Sequence, residues 1–189
     1  PVVNSDPTKQ AAVLRLVDAW RARGHLAADI DPLDIPRKRH PDLEPSSHGL
    51  TIWDLDRTFA ALGSFGNLTL RELLDRLRLT YGGKMGVEYM HCDNPEERRW
   101  FERAMEPSSN RWPLPAEVKR RGLQSVIEAE GFENFLENRF KGHKRFSIEG
   151  GESTIAILDQ IMDRAASDGV DECVIGMAHR GRLAVLANI

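Results

Sequence analysis

Cysteine is scarce in this 189-residue chain, with only Cys92 and Cys173 and no C-x-x-C spacing between them. That excludes a disulfide framework and a zinc knuckle, and it fits a reducing compartment. Long apolar runs are missing as well: none approaches the roughly 18 residues that a membrane span needs, and residues 1–10 are polar rather than signal-like. No charge sign dominates, because 26 Lys and Arg face 29 Asp and Glu for a net charge of -3. A global basic field that would draw nucleic acid or an anionic membrane is therefore excluded, and any anion site must be local. Internal repeats and low-complexity tracts are lacking too. An initial Met is absent, and residues 183–189 carry none of the Gly or Pro signals that end a helix. The chain reads as part of something longer.

What is present is a hydrophobic fraction of 41%, enough to build a core. Asp6-Pro7 has the character of an N-cap followed by a first-turn proline, and Val13, Leu14, Val17 and Trp20 recur at helical spacing up to Gly24. Pro32, Pro36, Pro41 and Pro45 then interrupt a charged stretch, which predicts a linker on the surface. Ile52, Leu55, Phe59 and Leu62 suggest a short helix. Thr69 and Glu72 have capping-box spacing ahead of Leu73, Leu74 and Leu77, and Asn94-Pro95 opens a further helix through Trp100, Phe101 and Met105. Beyond Pro113 and Pro115 lies another helical stretch, which Gly122 and Gly131 are expected to bend or divide.

The pattern changes after Gly142. Residues 145–149 form a short β-compatible run, Gly150-Gly151 a turn, and Ser153 or Thr154 a cap for a helix through Ile155, Leu158 and Ile161 that ends at Gly169. Residues 172–177 read as a buried strand with a helix behind it. Strand, helix, strand, helix is a βαβ unit, so an α/β class with parallel strands is expected for the last part. Three regions follow: 1–49, a helix and proline-rich linker; 50–142, helical; and 143–189, the beginning of an α/β domain.

In a parallel sheet, ligands bind beyond the carboxyl ends of strands. Ala178-His179-Arg180-Gly181-Arg182 falls there and places an imidazole and two guanidiniums on a tight turn before a helix. Such a turn suits a carboxylate or phosphate, and His179 alone in it can exchange a proton near neutral pH. The competing reading is that Arg180 and Arg182 are solvated or paired with Glu149 and Glu152. The Gly150-Gly151 turn lacks the spacing of a nucleotide-binding loop. His91-Cys92-Asp93 has no partner pair spaced for a metal, His40 and His48 fit turn positions, and His25 fits a helix end where it bonds terminal carbonyls.

Taken together, residues 144–152 (Lys-Arg-Phe-Ser-Ile-Glu-Gly-Gly-Glu) and 176–183 (Gly-Met-Ala-His-Arg-Gly-Arg-Leu) resemble the E1 component of the 2-oxoglutarate dehydrogenase complex. Residues 24–26, 31–33, 48–56 and 86–91 extend that resemblance over essentially the whole chain, in a style similar to actinobacterial members. These are often fused to an acyltransferase domain and are also called 2-oxoglutarate decarboxylases. The resemblance implies a largely helical N-terminal part leading into the βαβ units of a thiamine diphosphate-binding-type parallel sheet.

It also implies that His179 contacts the 2-oxo acid beside the thiazolium and that Arg180 helps to position it. The implied cofactors are thiamine diphosphate and Mg²⁺, whose main ligands are expected outside this chain, and no metal ligand is expected within it. Implied partners are 2-oxoglutarate, a lipoyl-bearing acyltransferase component and a second copy in a homodimer, with no nucleic acid or membrane, in the cytoplasm or, in a eukaryote, the mitochondrial matrix. Ala184 stands where the family usually carries Asn. An alternative keeps the helical part as a non-catalytic docking arm of a multienzyme complex, and another makes the βαβ unit a plain dinucleotide-binding domain.

Overall fold

A computed structural model of the chain describes residues 6–33, 40–61 and 63–189. Pro36 and Leu62 lie outside them. The described residues are mostly helical with one small sheet, and contacts divide the chain into two compact units, Pro1–Trp112 and Pro113–Ile189. Among the described residues no helix is long and apolar enough to cross a membrane.

The first unit opens with α1 (Pro7–Arg23), whose N-cap Asp6 accepts from the Thr8 and Lys9 amides at 2.9 and 3.3 Å. Its buried stripe of Val13, Leu16, Val17 and Trp20 meets α2 (Leu70–Tyr81), which is capped reciprocally by Thr69 and Glu72 and buries Leu70, Leu73, Leu74 and Leu77. Gly24 acts here through contact rather than through turn geometry. A Cβ at that position would lie 2.5 Å from the Tyr81 Cβ, so only glycine lets the two helix ends approach. The third helix, α3 (Pro95–Met105), starts on the Asn94 cap as its sequence predicts.

Two expectations change in this unit. Among the described residues of the 52–62 stretch only Ile52–Asp54 forms a helical turn, closed by the Thr51 amide donating to Asp54 at 2.9 Å. Phe59 instead lies in β1 (Thr58–Ala61), antiparallel to β2 (Gly66–Thr69), with Phe59 opposite Leu68. An apolar residue every three or four positions over so short a span fits a turn followed by an inward-facing strand residue equally well. The proline-rich linker is not wholly a surface feature either. Pro41 and Pro45 each start a short 3-10 turn, and Leu43 and Leu50 are buried in the core.

In the second unit α4 (Ala116–Arg139) runs unbroken through Gly122 and Gly131. A helix-interior glycine costs roughly 0.5–1 kcal/mol relative to alanine, too little to divide a helix of this length. It packs against α5 (Ser153–Ser167) and α6 (Arg182–Asn188) around Ala129, Ile148, Ile155, Ala184 and Val185. Glu152 occupies the cap position of α5 and makes no side-chain cap bond, so neither Ser153 nor Thr154 caps it.

The strands expected at 145–149 and 172–177 are not formed. Continuous apolar strands hold when neighbours pair both edges and helices cover both faces. Here Val174 is 88% exposed. The parallel sheet of the α/β expectation is therefore absent among the described residues, whose one sheet is the β1–β2 hairpin.

Candidate functional site

The two sequence blocks that stand about thirty positions apart meet in the second unit. The Gly181 amide donates to the Phe146 carbonyl at 2.8 Å, and the Arg180 guanidinium donates to the Glu149 carbonyl at 3.1 Å. Gly181 has φ +70, and a Cβ there would sit 2.8 Å from Ile148, so both the backbone geometry and the packing require glycine. These contacts fold residues 178–182 back over residues 146–149.

His179 and Arg180 are both exposed on this turn. The imidazole lies against the Phe146 ring, centroids 4.3 Å apart at 48°, and the Lys144 ammonium stands 5.6 Å from the other partner of that stack, the Phe146 ring. The ring contact sets the imidazole against Phe146, and no hydrogen bond to its nitrogens is made among the described residues. Arg182 is exposed as well. The corner thus presents an imidazole and guanidinium N–H donors, suited to an acidic ligand with a second oxygen within reach.

The competing pairing of Arg180 with a carboxylate is replaced by a bond to a backbone carbonyl, and Glu152 spends one carboxylate oxygen on the Gly150 amide at 3.0 Å. The helix after the turn, α6, has only seven residues, so its dipole contributes less than a long helix would. The corner is also open. Neither of two depressions in this unit is lined by His179: one of about 740 Å³ lies between α4 and α5 beside Val118, Gly122 and Ile161, and one of about 420 Å³ lies beside Phe140, Gly142 and Arg145.

Three of the other histidines are placed as follows. His40 Nδ1 accepts from the Asp42 amide, His48 Nε2 lies 2.8 Å from the Asp42 carbonyl, and His25, expected to bond helix-end carbonyls, keeps a buried Nδ1 with no partner. Two polar features went unnoticed in the sequence. Glu133 on α4 is 6% exposed and its carboxylate accepts from the Ile148 amide at 3.2 Å, while Arg145 reaches its other oxygen at 3.5 Å. In the first unit, Arg21 and Glu106 form a buried ion pair joined by the Tyr81 hydroxyl. Glu133 lies in register with Ala129, Phe132 and Leu136, and Arg21 follows Val17 by one turn, so a charge on an apolar stripe is the signal that finds them; Glu106, flanked at helical spacing by Glu102, Arg103, Ser109 and Asn110, carries no such signal.

Comparison with known proteins places the chain among relatives. It is 46% identical over an alignment of 197 positions, covering all of this chain, to the "2-oxoglutarate dehydrogenase E1/E2 component" of Corynebacterium glutamicum. It is 47% identical over 186 aligned residues, or 96% of this chain, to the "Multifunctional 2-oxoglutarate metabolism enzyme" of Mycolicibacterium vanbaalenii. The chain spans 16% and 15% of the length of these two curated relatives. No protein-family model matches it. The likeness carried by the two motif blocks thus runs along essentially the whole chain, and it is to actinobacterial proteins of 2-oxoglutarate metabolism.

Proposed function

We propose that this chain, homologous from end to end to a segment of actinobacterial 2-oxoglutarate enzymes, is the substrate-facing part of a 2-oxoglutarate dehydrogenase or decarboxylase of the E1 type. The observation that supports this reading best is the folding of residues 178–182 onto residues 146–149, which leaves the His179 imidazole exposed and oriented by Phe146. In this reading His179 donates a hydrogen bond to the keto oxygen of 2-oxoglutarate as that oxygen takes up negative charge, and Arg180 holds the turn that carries it. A positioned donor of this kind is worth about 10²–10³ in rate without being a nucleophile. The open corner also suits a substrate with carboxylates at both ends.

Thiamine diphosphate with Mg²⁺ belongs to the same proposal and would supply the nucleophilic carbon and the electron sink. The imidazole of His179 and the guanidiniums of Arg180 and Arg182 suit the acidic substrate and supply no oxygen ligand for a divalent cation. Residues outside it would bind that group. In the full protein the α/β sheet expected around residues 145–149 and 172–177 would be completed by further strands, and transfer to a lipoyl-bearing acyltransferase and homodimer formation in the cytoplasm follow from the same reading.

The experiment is His179→Ala in the full-length enzyme, assayed for 2-oxoglutarate decarboxylation with ferricyanide as electron acceptor. A loss of about 10²-fold or more with fold and oligomeric state unchanged is expected. Near-full activity would overturn the assignment.

A further inference from the structure

The turn that carries His179 folds onto residues 146–149, and the Glu133 side chain on α4 bonds the segment beneath it. Glu133 is 6% exposed, and its Oε1 accepts the Ile148 amide at 3.2 Å. Arg145 donates to the Glu133 carbonyl at 3.3 Å and reaches Oε2 at 3.5 Å, with its second terminal nitrogen 3.6 Å from Glu137. Because residues 145–149 pair with no strand, the carboxylate takes the place that a neighbouring strand would fill for the buried Ile148 amide.

From that anchor the contacts lead directly to the candidate site. Ile148 packs under Gly181, the Phe146 carbonyl takes the Gly181 amide at 2.8 Å, and the Phe146 ring lies 4.3 Å from the imidazole. A displacement of residues 145–148 therefore moves both the ring that orients His179 and the carbonyl that closes its turn. We infer that Glu133 is a positioning residue for His179, acting through the Ile148 amide and the Phe146 ring; its relevance to catalysis rests on the functional reading above, while its effect on the imidazole does not.

Two variants separate this role from a contribution of charge. Glu133→Gln keeps an oxygen at the same reach for the Ile148 amide and removes the charge. Glu133→Asp keeps the charge and withdraws the oxygen by one carbon–carbon bond, about 1.5 Å. The first readout is the ring-current shift that Phe146 imposes on the His179 ring protons, followed by NMR in the chain of residues 1–189, with the amide signals of α4 as the control for folding. Phe146→Leu identifies that shift by removing it.

The expected result is that Glu133→Gln preserves the shift and Glu133→Asp reduces it while α4 stays folded. The second readout is decarboxylation by the full-length enzyme. Glu133→Asp should lower kcat by about 10–100-fold with little change in KM, as a misplacement on the order of 1 Å does, and Glu133→Gln should restore it. An unchanged His179 shift in Glu133→Asp, or loss of the shift in Glu133→Gln with wild-type behaviour in Glu133→Asp, overturns the inference. If His179→Ala leaves decarboxylation intact, the functional reading fails and the NMR comparison still decides the role of Glu133.

Discussion

The first unit buries a polar cluster beside its apolar core. Glu106 is fully buried and Arg21 is 7% exposed. The Arg21 Nε and the Tyr81 hydroxyl both donate to Glu106 Oε1 at 2.8 Å, and the Tyr81 and Tyr89 hydroxyls are 3.2 Å apart. Burial raises the Tyr81 hydroxyl far above its ordinary value, aided by the Glu106 charge, and burial pushes Tyr89 up to about 12. Burial alone would lower the Arg21 guanidinium, but its bond to Glu106 and the charges of Glu106 and Glu102 outweigh that and hold it above its usual value. A buried pair of this kind ties α1 to the end of α3 and to α2, yet its net worth is less than its Coulomb attraction because both ions are desolvated. Glu106→Ala should cost about 3–5 kcal/mol, since it breaks the buried pair and leaves the guanidinium to the longer contacts with Glu102 at 3.4 Å and Asp18 at 3.7 Å. Replacing Arg21 and Glu106 together by Met and Leu should cost much less. Urea unfolding of both variants checks this, and equal losses would contradict the coupling. None of this is visible from local sequence beyond a charge falling on an apolar stripe: Val13, Val17 and Trp20 announce the face, and Arg21 occupies its next position. The stack of His179 on Phe146 is further from reach, because it joins residues 33 positions apart and depends on a turn whose shape only the folded chain displays.

At the level of elements, what the sequence discloses is whatever local chemistry decides. The Asp6, Thr69 and Asn94 caps start helices where they are expected, because a side-chain oxygen satisfying an amide two or three positions later is a short-range event. The 52–62 stretch and α4 are misjudged, because a hairpin pairing and helix packing outweigh weak local preferences there. Glycine illustrates both outcomes. Gly131 is exposed inside α4, and a Cβ on it meets nothing within 4 Å. Gly131→Ala should therefore stabilise the second unit by about 0.5–1 kcal/mol. Gly181→Ala should destabilise it by more than that, because its φ is +70 and its Cβ would press on Ile148 at 2.8 Å. Thermal melting of the two variants should move in opposite directions. A common direction would mean that residues 145–149 do not lie under the turn.

Across the whole molecule the two units differ in how far their sequence explains them. The first closes a core of Leu, Val, Phe and Tyr side chains from local amphipathic elements, whose capped helices are readable in advance and whose hairpin is not. The second has a small core, with Val174, Leu186, Ile157 and Phe135 exposed, and its apolar run at 172–177 reads as a strand whose pairing partners are not among the described residues. Charge sets a prediction for the first unit. Asp54 is 2% exposed; burial alone would raise its carboxyl, but Lys9 at 2.8 Å, the Thr51 amide and Arg57 hold it well below the usual carboxylate range. Glu72 is lowered by the Thr69 hydroxyl and amide. A carboxyl whose folded value lies below its unfolded one stabilises the fold above the unfolded value, about 3.9 for Asp, and that contribution disappears as pH falls toward the folded value. Glu102 has the opposite sign: burial raises it, so what it contributes is present in acid and lost as pH rises through its folded value. Asp54, gripped by two cations, sets the balance. The urea midpoint followed by Trp20, buried in this unit at 5% exposure, should therefore fall steadily as pH is lowered from about 5 through the Asp range. Asp54→Asn should lower the midpoint at pH 7 and flatten that decline, whereas an undiminished acid slope in this variant would assign the sensitivity to other carboxylates.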